Sequence, residues 1–242
     1  MFAQIPPITK KLIILNVIVF ALAHFIPYLE QVFPAYFPLS PNFKMWQIIT
    51  HMFMHGGFSH ILFNMLTLWS FGPVLEHFLR EKRFVILYFA SGLGAFLLYN
   101  LWYGYEVYLL AETLQNKGIE IQEIAEKADL SRYPIGYHNF QDDTSMMLYA
   151  SLVGRMVGAS GAIFGIVAAF STLFPNAKMM FMFIPFPIKA KYLFPIIMLG
   201  SLYFGVNDAG SNIAHFAHIG GAIVGFILAE IWGKKLNRFH IN

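Results

Sequence analysis

Hydrophobic positions along this chain gather into long, nearly unbroken runs instead of the half-polar stripes of a water-facing helix or strand. A helix that crosses a bilayer needs roughly 17–25 mainly apolar residues, and six runs approach that length between charged or turn residues. The first, 12–26, starts behind Lys10 and Lys11 and stops at Pro27; no small-residue cleavage site follows, so it reads as a retained span and not a signal peptide. Runs 61–79 and 84–103 flank a charged turn of Arg80, Glu81, Lys82 and Arg83, which predicts an antiparallel pair. The run 160–174 is rich in Gly and Ala, 192–206 is short and holds Pro195, and 213–232 stops before Lys234 and Lys235. The pattern predicts an all-α polytopic membrane protein, a six-helix bundle forming one domain over residues 1–242.

Three other segments are not read as spans. The stretch from Met179 to Ile188 is too short and contains Pro185 and Pro187, so it should lie in the interface or pack on the bundle. Phe43 to Phe58, with Trp46, His51 and His55 among aromatics and methionines, reads as an amphipathic interfacial loop. Residues 105–149 are polar, but Ile121, Ile124, Ala125 and Ala128 recur at helical spacing, which predicts a helical insertion.

Composition sharpens this picture. Hydrophobic residues make up 57% of the chain and charged ones 12%, more apolar surface than one soluble core could hide, so the surplus faces lipid. The net charge of +3 is not gathered into a patch that could track phosphates, which argues against nucleic acid as a partner. With no cysteine, disulfides and thiolate chemistry are excluded. Six spans put both termini on one side, and 11 of the 16 Lys and Arg residues fall there. The positive-inside rule makes that side cytoplasmic and the 105–149 insertion extracytoplasmic, as expected of a multi-pass protein of the cell membrane.

Polar side chains inside a span cost free energy unless they face the bundle interior, so they mark function by default. HILFN places His60 and Asn64 at i and i+4, on one face at the start of the second span. GASGAIFG puts Ser160 at the start of the fourth, beside Gly158 and Gly161, and AHIGG puts His218 early in the sixth. Even-numbered spans run from outside to inside, so all three clusters share one depth. Gly161 and Gly165 on one helix and Gly221 and Gly225 on another form small-xxx-small pairs. Taken alone such pairs signal packing, but facing one another they would bring the Ser160 hydroxyl to the His218 imidazole. That is a nucleophile and its general base. The unpaired amides of a helix start, with Asn64 and His60, could then receive an oxyanion. No acid lies at the same depth; Asp208 belongs to the loop before the sixth span. A Ser–His dyad is therefore expected, with water reaching it through a polar cavity from the extracytoplasmic side.

On GASGAIFG, AHIGG and HILFN the sequence closely resembles the bacterial type of the rhomboid family of intramembrane serine proteases, over nearly the whole length from Leu12 to Trp232. The resemblance implies Ser160 as nucleophile, His218 as base, and His60 and Asn64 around the oxyanion. It also implies transmembrane protein substrates cut near their outer ends within the lipid bilayer, with no metal or ATP as cofactor. Two positions depart from the family pattern. Gln47 follows Trp46 where many relatives have Arg, removing a charge contact, and Phe164 stands where Tyr is frequent, able to stack on His218 without a phenolic hydrogen bond. Gly205, Gly210 and the short fifth run predict a cap around residues 206–212 that yields to an arriving substrate. The rival reading is a metal transporter using His51, His55, His60, His215 and His218. It would call for carboxylates at mid-membrane, which the spans lack.

Overall fold

The computed structural model describes residues 5–136, 138, 140–181, 184–207 and 212–238. The predicted cap around 206–212, with Asp208 and Gly210, falls largely outside these residues.

Helix α1 (Pro7–Phe25) begins five residues before the predicted run. Pro7 suits a first helical position, where its missing N–H costs nothing. The start is capped from a distance. Glu76, 3% exposed, accepts from Ile8 N (2.9 Å), Thr9 N (2.7 Å) and the Thr9 hydroxyl (2.7 Å). A carboxylate at the positive end of a helix satisfies amides that have no intrahelical partner. Replacing Glu76 with alanine should lower stability by about 3 kcal/mol, read as a drop in unfolding midpoint in mild detergent. An unmoved midpoint would show that water replaces the cap.

After a short α2 (Leu29–Val32), the segment that the sequence places in the interface turns partly inward. It forms α3 (Gln47–Thr50) and a 3-10 turn over His51–Phe53, and the run from His51 to His55 is buried, while Met45, Trp46, Ile49 and Phe58 stay exposed. Its apolar side contributes to the protein core: Met52, Phe53 and Met54 join Leu68, Leu75, Leu87 and Ile166 in one cluster.

The second and third predicted spans form one helical stretch, α4 (Phe58–Asn116), broken at Arg80. Its φ of 69° and ψ of 161° reverse the chain, so the expected four-residue turn shrinks to a single non-helical residue. The helix continues past the predicted end at 103 to Asn116. Residues 84–116 cover about 50 Å at the usual rise, against a hydrocarbon core of about 30 Å. The insertion therefore starts as a helix extension, and α5 (Ile121–Lys127) and α6 (Asp143–Val153) fold back on it. Tyr103, Val107, Leu114, Ile124, Ala128, Leu148 and Leu152 share a second core with Phe37.

The bundle closes with α7 (Ser160–Leu173), α8 (Ala190–Asn207) and α9 (Asn212–Arg238). Between α7 and α8 the short apolar stretch forms two antiparallel strands, β1 (Lys178–Phe181) and β2 (Ile184–Lys189), paired Lys178 to Lys189 and Met179 to Ile188. Pro185 and Pro187 deny this stretch a helix. Apart from the hairpin, the regular structure among the described residues is helical. Among the described residues three helical segments, Pro7–Phe25, Phe58–Asn116 and His215–Lys234, are long and apolar enough to cross a membrane. Helix α1 turns Ile14, Val17, Ile18 and Leu22 outward, as an integral membrane protein does toward lipid.

Candidate active site

Backbone contact between α7 and α9 sets the geometry. A Cβ built on Gly221 would strike the Gly161 carbonyl, and one on Gly225 would strike Gly165. The two helices therefore cross where neither has a side chain. Ser160 and His218 lie at the same end of this crossing, and His218 Nε2 stands 3.0 Å from Ser160 Oγ. For Nε2 to accept the serine proton, the ring must carry its own proton on Nδ1.

Ser160 does not cap its helix. The N-cap residue is Ala159, without a side-chain capping bond, and the first intrahelical bond runs from Ile163 N to Ala159 O at 3.0 Å. The hydroxyl is thus left to the imidazole. Phe164, one turn on, lies flat against the His218 ring, with centroids 4.0 Å apart and planes 2° from parallel. The His215 ring stands edge-on at 6.3 Å. Among the described residues no hydrogen bond or ion pair joins a carboxylate to His218.

Gly158 has φ +121°, a backbone conformation open to glycine and strained for other residues. Space excludes a side chain as well, since a Cβ there would lie 2.8 Å from Cε1 and Nε2 of His60 and 3.6 Å from Ser160 Oγ. The His60 ring therefore lies over the serine loop. Its Nδ1 accepts from Gly56 N at 3.4 Å, which leaves Nε2 as the protonated, donating nitrogen. One turn further, Asn64 is 7% exposed and its Nδ2 has no hydrogen-bond partner among the described residues. A buried amide donor left unmatched costs free energy, and such costs are found where a ligand or reaction intermediate supplies the match. The starts of α4, α7 and α9 thus bring together all four polar residues singled out in the sequence.

Gln47 and His51, which the sequence marks only as a departure from the family pattern and as a ligand in the rival metal reading, support this site. Gly158 N donates to the His51 carbonyl at 2.9 Å, and His51 Nδ1 bonds the Gln47 carbonyl at 2.8 Å. Desolvation of the nearly enclosed His51 ring pushes its pKa down to about 4, so it is neutral at physiological pH. Gln47 is 1% exposed, and its amide bonds main-chain groups of Val32, Asn42 and Lys44. The bond between His51 and Gly158 joins positions too distant along the chain for any spacing rule to reveal.

A family model described as Rhomboid domain matches residues 42–110 and 135–235. Rhomboid protein 1, mitochondrial, of Saccharomyces cerevisiae is 30% identical over 255 residues, an alignment covering 98% of this chain and 60% of the yeast protein. Putative rhomboid protease YdcA of Bacillus subtilis is 28% identical, with 81% of this chain and 72% of that protein covered. Rhomboid protease AarA of Providencia stuartii is also 28% identical, over 80% of this chain and 58% of its own length. The chain thus spans between about half and three quarters of the length of these relatives.

Proposed function

The chain belongs to the rhomboid family, and from that premise we propose that it is an intramembrane serine endopeptidase cutting transmembrane segments of membrane proteins near the extracytoplasmic side. The observation that carries the reading is the 3.0 Å approach of His218 Nε2 to Ser160 Oγ across two helices.

In this mechanism His218 takes the Ser160 proton as Oγ attacks the scissile carbonyl. The resulting oxyanion is met by the free amides at the start of α7, by His60 Nε2–H and by Asn64 Nδ2–H. As the intermediate collapses, the C–N bond breaks and the leaving amine receives the proton held by His218. The acyl group remains on Ser160. Water entering from the extracytoplasmic side then gives a proton to His218, attacks the ester and releases the new carboxyl end, and the proton returns to Oγ. Six spans with both termini cytoplasmic in the cell membrane put this centre at the depth where a substrate helix emerges.

The direct test uses a fluorophosphonate probe on detergent-solubilised protein. Phosphonylation should map to Ser160 and should fall to background in His218→Ala. Labelling elsewhere, or labelling of Ser160 that ignores the loss of His218, would refute the dyad.

A further inference from the structure

The family model leaves residues 111–134 unmatched, yet this segment is hydrogen-bonded to the loop that supports the serine. Asn42 is the junction. Its Nδ2 donates to the Ala128 carbonyl at 2.8 Å and its Oδ1 accepts from Leu130 N at 2.9 Å, so one side-chain amide grips the main chain at two points just past the end of α5. The Ala128 carbonyl belongs to a helix end, where carbonyls need an outside donor. Both partners lie inside the unmatched segment.

From Asn42 the hydrogen bonds continue inward. The Asn42 carbonyl accepts from Gln47 Nε2 at 3.2 Å, the Gln47 carbonyl from His51 Nδ1 at 2.8 Å, and the His51 carbonyl from Gly158 N at 2.9 Å. Gly158 stands two residues before Ser160 and beneath the His60 ring. Gln47 and His51 are each 1% exposed, so these links have little water to exchange with. Two other ties hold the same unit. Ser40 Oγ donates to the Leu152 carbonyl at 2.6 Å, and Ala35 and Met156 exchange backbone bonds at 3.0 and 2.7 Å.

We propose that segment 111–134 is a positioning element for the serine loop, fixing Gly158 through Asn42, Gln47 and His51; its catalytic consequence rests on the reading of Ser160 as nucleophile. The segment does not touch the reacting atoms. It sets where they stand, and displacement on the ångström scale is enough to cost rate.

The test compares Asn42→Ala, Asn42→Asp and Lys117→Ala in the full chain. Lys117 ties the same region at its exposed margin, to Asp142 at 2.7 Å, and makes none of the inward links. Asn42→Ala should lower kcat for a helical membrane substrate about tenfold with KM within about twofold. It should also speed amide exchange in peptide 154–160 about fivefold, the equivalent of one weakened hydrogen bond. Asn42→Asp keeps the acceptor for Leu130 N and should fall between, which also covers the case in which the alanine variant does not fold. Lys117→Ala should leave both readouts near those of the parent. Unchanged exchange in the Asn42 variants would overturn the proposal, as would a rise in KM alone, which would mean that the segment contacts substrate. Exchange does not depend on the chemistry, so failure of Ser160 to react with the probe would sink the protease reading while the exchange result still decides the relay.

Discussion

Purified Ser160→Ala protein should cleave a helical membrane substrate at background rate, a fall of about 10⁴-fold or more, while keeping its helical content and unfolding midpoint. In the proposed mechanism this hydroxyl is the nucleophile, and it stands 3.0 Å from the His218 imidazole that would take its proton. Without it no acyl intermediate forms, and residual stabilisation of the oxyanion has no bound nucleophile to assist. His218→Ala should be nearly as inactive, because an unassisted serine hydroxyl is a poor nucleophile near neutral pH. Asn64→Ala tests a different contribution. It removes one donor and no reacting atom, so kcat should fall about 10²–10³-fold. Turnover by Ser160→Ala would discard the nucleophile, and a full-rate Asn64→Ala would discard that donor.

Gly221→Ala should lower the cleavage rate by about 10²-fold, although position 221 carries no reactive group. Its new Cβ would land on the Gly161 carbonyl, part of a helix backbone that cannot step aside as a flexible side chain would. The helices must separate, and Ser160 and His218 separate with them. A shift of about 1 Å costs on the order of 10²-fold in rate. The distinguishing result is a folded bundle with weak probe labelling of Ser160. If activity is retained, the crossing is looser than the glycine contact implies.

Local patterns predicted what depends on local physics. Apolar runs mark the helices because lipid requires every spanning backbone group to be paired internally. The i, i+4 spacing of His60 and Asn64, and the glycines flanking Ser160 and His218, identify residues that the structure gathers at one end of the bundle. What the sequence hides is set by partners far along the chain. Glu76 looks like an end-of-span acid, but its partners Ile8 and Thr9 lie 68 and 67 residues away. Asn42 looks like an ordinary loop residue, and its partner Ala128 is 86 residues distant. Histidines and methionines from 51 to 55 read alike whether the loop lies among headgroups or turns into the core. The continuation of α4 to Asn116 is obscured because Tyr105 to Asn116 has the polarity of a connecting segment while its buried side, Val107 and Leu114, still follows helical spacing.

The ring of Phe164 lying flat on His218 bears on how the proposed base would work with no carboxylate bonded to it among the described residues. When the imidazole takes a proton it becomes a cation, and the electron-rich face of an aromatic ring attracts it by about 0.5–2 kcal/mol. A resident carboxylate would stabilise that cation far more, but it would also have to be kept ionised among hydrocarbon during every idle interval. Stacking would supply a weaker attraction that acts only while the charge exists, so the proposed base would need no permanent anion held among lipid between turnovers.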